Sequence, residues 1–201
     1  ILDVQNLRVS FNMYQSGLKQ AELTTIQSLN LSVHEGGILA VAGSSGSGKS
    51  LLAHARMGIL PVNARVGGNI LYRGEALTPA RQKHLRGQEI ALIPQSVDYL
   101  DPLMRVGKQV IGTRSDARAQ RAAFRRYELD ESVERMYPPQ LSGGMARRVL
   151  IATAVTISPK LIIADEPTPG LTVELAMETL KHFRELADNG TAVLLITHDI
   201  D

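Results

Sequence analysis

Apolar positions fall along the chain in two patterns, and each predicts a different kind of strand. Leu2, Val4 and Leu7, then Val9 and Phe11, alternate roughly, and Leu29-Asn30-Leu31-Ser32-Val33 alternates cleanly. A period of two marks strands with one buried face. Ile38–Ala42 is instead a continuous apolar run of strand length, consistent with a buried strand; Leu161–Ala164 and Ala192–Ile196 are the longest apolar runs, both strand-sized, and the last strand is Ala192–Thr197. Glu89–Ile93 is a further strand, and Asn69–Tyr72 a short one after Gly67-Gly68. Helices are predicted at Leu51–Leu60, with Pro61 beyond its end, at Met145–Thr156 behind Ser142 as N-cap, and at Val173–Ala187, stopped by Asn189-Gly190. From about residue 98 to 140 the texture changes, and Arg114–Arg126 is rich in the helix formers Ala, Arg and Gln. Strands and helices alternate, so the fold class is α/β with a parallel sheet and a helical insertion.

Composition narrows the function. Apolar residues are 44% of the 201, enough for a packed core, and the formal charge is only +2. That balance, with 4% aromatics, argues against nucleic acid as a partner. The absence of cysteine excludes disulfides and thiolate metal sites. No apolar run approaches the roughly 20 residues of a membrane span. The chain opens at Ile1 without an initiator Met and stops abruptly after a strand, so residues are expected to be missing at its ends, the C-terminal part above all.

Chemistry enters at Gly43-Ser44-Ser45-Gly46-Ser47-Gly48-Lys49-Ser50, which fits G-x-x-x-x-G-K-[ST] between a predicted strand and a predicted helix. Glycines let backbone N–H groups close around phosphate oxygens, and the helix N-terminus adds favourable partial charge. Lys49 is expected between the β and γ phosphates, and the Ser50 hydroxyl on Mg²⁺. A flexible Gly/Ser loop explains the composition but not the motif in its context. Asp165 and Glu166 close the apolar run Leu161–Ala164, at the strand end where open α/β sheets bind ligands. Asp165 is the expected Mg²⁺ partner, through water, and Glu166 the general base for an attacking water. The alternative is a simple capping pair.

Three more stretches complete a resemblance. Leu141-Ser142-Gly143-Gly144-Met145 resembles the signature of ATP-binding cassette (ABC) ATPases, Gln95 resembles their Q-loop glutamine, and His198 their switch histidine. The order of phosphate loop, Gln, signature, Asp-Glu and His spans essentially the whole chain. The resemblance implies a P-loop NTPase fold with a parallel sheet core, an N-terminal antiparallel β subdomain and an inserted helical subdomain. It implies a core from 1–97 and 157–201 and a helical part from 98–156. Gln95 is implied as a metal and water ligand. Leu141, Ser142, Gly143 and Gly144 are implied as a cap on the γ-phosphate of ATP held by another subunit, and His198 as a γ-phosphate donor. Phe11 falls where the family stacks an aromatic on adenine; Tyr14 is a rival, and a core role is the plain alternative.

Two positions depart from the family pattern. Met145 replaces the signature Gln, and Thr172 stands where an Asp usually speaks to the opposite phosphate loop, which makes a non-identical partner more plausible. Asp101-Pro102-Leu103-Met104, Val106-Gly107 and Leu-Ser-Gly-Gly-Met resemble the ATPases of oligopeptide and nickel importers. The implied protein hydrolyses ATP to power import of peptides, nickel or a metal chelate. It works with a second ATPase subunit, two membrane permeases and an extracytoplasmic substrate-binding protein, as a peripheral subunit at the cytoplasmic face of the cell membrane. Another transporter branch is the near alternative. A small-molecule kinase leaves Leu141–Gly144 without a purpose. Chromosome-maintenance ATPases of this superfamily need a long coiled coil between Lys49 and Ser142, where no sustained heptads occur.

Overall fold

A computed structural model describes residues 1–16, 19–43, 64–112 and 115–197. Within these the strands build two sheets. Strands β1 (Leu2–Ser16), β2 (Lys19–Val33), β4 (Ala64–Tyr72) and β5 (Glu75–Ala76) form an antiparallel sheet in the order β2-β1-β4-β5. Strands β3 (Ile38–Ala42), β6 (Ile90–Ile93), β7 (Leu161–Asp165) and β8 (Ala192–Thr197) form a parallel sheet in the order β3-β8-β7-β6.

The apolar runs of β7 and β8 are buried as expected, but in β3, at the edge of the sheet, Ile38, Ala40 and Ala42 are exposed, against the buried strand expected there. Alternate residues of β7 and β8 enter two different cores. Leu161, Ile163, Ala192, Leu194 and Ile196 pack with Leu2, Val4, Leu7, Val9, Val33 and Tyr72 of the antiparallel sheet. Ile162, Ala164 and Val193 face the opposite way, into a core shared with the helices. The parallel sheet is therefore the middle of three layers. Each fully buried Leu or Ile contributes about 1.5–3 kcal/mol, and nearly every residue of β7 and β8 is buried.

Five α-helices lie among the described residues: α1 (Pro79–Leu85), α2 (Val106–Ile111), α3 (Ala117–Arg126), α4 (Gly143–Val155) and α5 (Val173–Asp188). Ser142 caps α4 by accepting from the Met145 N–H at 3.2 Å, and Thr172 caps α5 by accepting from the Leu175 N–H at 3.4 Å. The expected helix at Leu51–Leu60 lies outside the described residues.

Three further expectations need correction. The alternation predicts N-terminal strands over Leu2–Phe11 and Leu29–Val33, but β1 and β2 are 15 residues each and pair as far as Ser16↔Lys19. Gly67-Gly68 does not precede a strand but lies inside β4. Gly68 has φ +86°, and a Cβ there would stand 2.3 Å from the Asn6 carbonyl oxygen. The close approach falls where the β1–β4 register shifts between Gln5 and Arg8, so glycine is needed for the bulge rather than for a turn. Helix α1 was not foreseen, although Thr78 accepts from the Arg81 N–H and Pro79 occupies the first turn.

Candidate functional site

Register places the site. In the parallel sheet Ala42 pairs with Thr197, Ile196 with Asp165, and Ala164 with Ile93. The carboxyl ends of all four strands are therefore nearly level. Gly43 leaves β3, Thr197 ends β8, Asp165 ends β7, and Pro94-Gln95 leaves β6 along this one edge. Ser44 to Ser50 and His198, which follow β3 and β8 directly in sequence, lie outside the described residues.

Asp165 is 2% exposed and Glu166 9% exposed. Glu166 adopts φ +48°, a left-handed conformation that costs a residue with a Cβ about 1–2 kcal/mol. Its N–H donates to the Ile196 carbonyl at 2.9 Å, holding the strained turn against β8. Strain of this kind concentrates at functional positions, where surrounding structure enforces it. The exposed Gln95 side chain reaches across, and its Nε2 donates to Glu166 Oε2 at 2.8 Å. Two residues predicted from separate stretches of sequence thus meet.

Arg147 was not singled out by the sequence, yet it completes this cluster. It is 7% exposed; Nη1 donates to the Pro94 carbonyl at 2.6 Å, and Nη2 donates to the Gln95 carbonyl. Burial lowers its pKa from the ordinary arginine value, opposed by the neighbouring Asp165 and Glu166 carboxylates. The available signal was periodicity: Arg147, Ile151 and Ala154 share one stripe of α4, and all three are buried. Next along the helix, Arg148 turns the other way and donates to the Glu128 carbonyl at 2.9 Å and the Tyr127 carbonyl at 3.3 Å.

The signature stretch sits at the start of α4. Ser142 and Gly143 are exposed, and Leu141 and Met145 pack at the margin of the helical core. The Met that replaces the family's Gln is thus used for packing. A Cβ on Gly144 would lie 3.3 Å from the Gly170 carbonyl oxygen, so the signature and the loop after Glu166 touch within this chain. Phe11 is half-buried at the margin of the core between the sheets, and its backbone pairs with Leu23 and Ala64.

The donor chemistry of this edge fits a magnesium–nucleotide. Asp165 and Gln95 carry hard oxygen ligands, and Gly43 opens the phosphate-loop motif where β3 ends.

A family model for "ABC transporter" matches residues 26–169. The chain belongs to the ABC transporter family. The oligopeptide transport ATP-binding protein OppD of Salmonella typhimurium is 36% identical over 216 residues, covering all of this chain and 63% of the relative. The probable D,D-dipeptide transport ATP-binding protein DdpD of Escherichia coli is 36% identical over 218 residues, covering 65% of the relative. This chain therefore spans somewhat less than two thirds of those relatives. Among solved structures, the dimeric bacterial ABC transporter cassette MJ0796 has a TM-score of 0.84 at 25% identity, covering all of this chain and 89% of that one. A dimeric post-hydrolysis state of MJ0796 bound to ADP and Pi has a TM-score of 0.83 at 24% identity, with the same coverage. The ABC ATPase fold expected from the motif order is the fold of this chain. No helix among the described residues is long and apolar enough to cross a membrane.

Proposed function

We propose that this chain is the ATP-binding and ATP-hydrolysing subunit of a peptide importer. The observation that carries the reading is the meeting of Gln95, Asp165 and Glu166 on the strand edge that Gly43 also leaves. The names of the OppD and DdpD relatives favour peptides over nickel or a metal chelate.

The division of labour follows from chemistry and place. Lys49 neutralises β and γ phosphate charge, and backbone N–H groups of Gly43–Ser50 surround the phosphate oxygens. Gln95 and the Ser50 hydroxyl, with Asp165 through water, would hold Mg²⁺. Bound Mg²⁺ supplies charge neutralisation, and ATP supplies the phosphoanhydride bond that is cleaved. Glu166 accepts a proton from the attacking water. His198 donates to the γ-phosphate, and Phe11 stacks on the adenine. Ser142, Gly143 and Gly144, with Leu141 behind them, cap the γ-phosphate bound by a second ATPase subunit, identical or non-identical. Residues 98–156 form the helical subdomain and move against a core made of 1–97 and 157–201.

The other partners are two permeases and an extracytoplasmic substrate-binding protein, with this subunit peripheral at the cytoplasmic face of the membrane. Beside Gln95 lies a cleft of about 550 Å³ lined by Leu92, Pro94, Tyr99, Leu100 and Met104 among others. Leu103, 88% exposed, projects near it in sequence. This apolar surface suits a permease segment, because its lining includes Pro94, the residue before Gln95.

Reconstitution of the full-length protein with its permeases in proteoliposomes tests the reading. Phosphate release is expected to rise when peptide-loaded binding protein is added. Lys49→Ala is expected to weaken ATP binding, read by titration calorimetry. Phosphate release indifferent to peptide, or unchanged ATP affinity in the Lys49 variant, contradicts the assignment.

A further inference from the structure

Arg147 presents a physical puzzle. A shorter neutral amide could satisfy one backbone carbonyl at far lower desolvation cost, but the two nitrogens of the guanidinium fork reach two. A buried guanidinium costs several kcal/mol unless it is paired. Here it is placed beside two buried carboxylates, Asp165 and Glu166. It also grips successive carbonyls, of Pro94 and Gln95, which fixes the peptide plane from which the Gln95 side chain departs toward Glu166. Arg148, one residue on, grips the carbonyls of Tyr127 and Glu128 beyond α3. Helix α4, with Ser142–Gly144 at its start, is thus fastened on one side to the strand edge and on the other to the helical layer.

We propose that Arg147 is a positioning residue: it clamps the backbone of Gln95 to the signature helix, so that movement of α4 sets whether the Gln95 amide rests on Glu166. The inference rests on the ATPase reading for its consequence but not for its geometry. Gln95 swings as a side chain about an anchored peptide, and Glu166 is released for the water only when α4 has moved. Removing the guanidinium loosens Gln95.

The test has two readouts in the full-length protein. Without nucleotide, the Gln95 side-chain amide resonances report the bond to Glu166. In Arg147→Met their hydrogen exchange is expected to accelerate at least about tenfold. With Mg-ATP, turnover is expected to fall about tenfold, as when the orienting partners of ligand residues are removed, while ATP affinity stays within about twofold. Because Arg147 acts through Gln95, Arg147→Met/Gln95→Ala should be no slower than Gln95→Ala alone. Arg147→Gln, a neutral donor, is expected to fold and to show intermediate amide exchange and turnover; it decides the matter if the Met variant does not fold. Unchanged amide exchange, multiplicative losses in the double variant, or wild-type behaviour of Arg147→Gln overturns the clamp. If the wild-type protein releases no phosphate, the proposed function fails, while the nucleotide-free amide exchange still decides the clamp.

Discussion

Glu166 combines a strained backbone, near-complete burial and an accepted hydrogen bond from Gln95. A group held so firmly is suited to proton transfer from a positioned water. Glu166→Gln keeps the shape and removes the base. Its turnover is expected to fall at least about a hundredfold with ATP binding retained, checked by single-turnover hydrolysis and titration calorimetry. Away from the site, His182 carries a pH dependence. Its Nδ1 lies 2.5 Å from the Tyr127 hydroxyl. Burial keeps the Tyr127 phenol protonated, so the hydroxyl donates. Burial, with Arg126 nearby, lowers the His182 pKa from 6.5 to about 4, while Glu185 and Glu178 pull weakly the other way. The folded state thus binds fewer protons than the unfolded state between these values. Stability is complete above pH about 6.5 and is lost as pH falls toward 4. His182→Gln should flatten that stretch of a pH–Tm profile. At this scale Asp165, Glu166 and Gln95 were legible because their chemistry is tied to motif order. Arg147 was not, because an arginine in a helix reads as a solvated side chain until the burial of its stripe is known.

At the scale of elements, continuous apolar runs announced themselves as strands, although β7 and β8 are buried while β3 has an exposed face at the sheet edge. The bounds of β3 and β8 agree with the apolar runs, and β7 adds only Asp165. Elements held by other means did not. In the outer half of the β1–β2 hairpin Asn12, Met13 and Tyr14 pair with Glu22, Ala21 and Gln20, and Ser16 with Lys19, in a stretch without clean alternation. Helix α1 has seven residues, too short for a periodic signal to outweigh its turn-like Thr78-Pro79 start. Long-range ion pairs are equally invisible in sequence. Arg126 of α3 lies 2.9 Å from both Glu178 and Glu185 of α5, tying the helical layer to the helix that follows the Glu166 loop. These groups are partly exposed, so the network contributes about 1 kcal/mol. Arg126→Met should lower Tm by about 2–4 °C in a calorimetric scan. Ile151→Ala, deleting a fully buried side chain of α4, should cost about 2–5 kcal/mol in urea unfolding.

At the scale of the whole molecule, the three layers bring Gly43, Gln95, Asp165 and Glu166 to one rim. That rim carries the strand ends of the parallel sheet, and α4 delivers the signature from the helical side. The division of faces along β7 and β8 makes this possible. One face is spent on the antiparallel sheet and the other on the helices, leaving the carboxyl edge for chemistry. In the proposed assembly a second subunit's signature covers the phosphate loop. Ser142 and Gly143 are exposed, as a surface that meets another subunit requires, and Thr172 serves as a helix cap. The most direct measurement is a structure of the full-length Glu166→Gln assembly saturated with ATP and Mg²⁺. Ser142 Oγ and the Gly144 N–H are predicted within hydrogen-bonding distance, about 3.2 Å or less, of a γ-phosphate held by the opposite subunit. A Ser142 that faces solvent, remote from any bound triphosphate, contradicts the account.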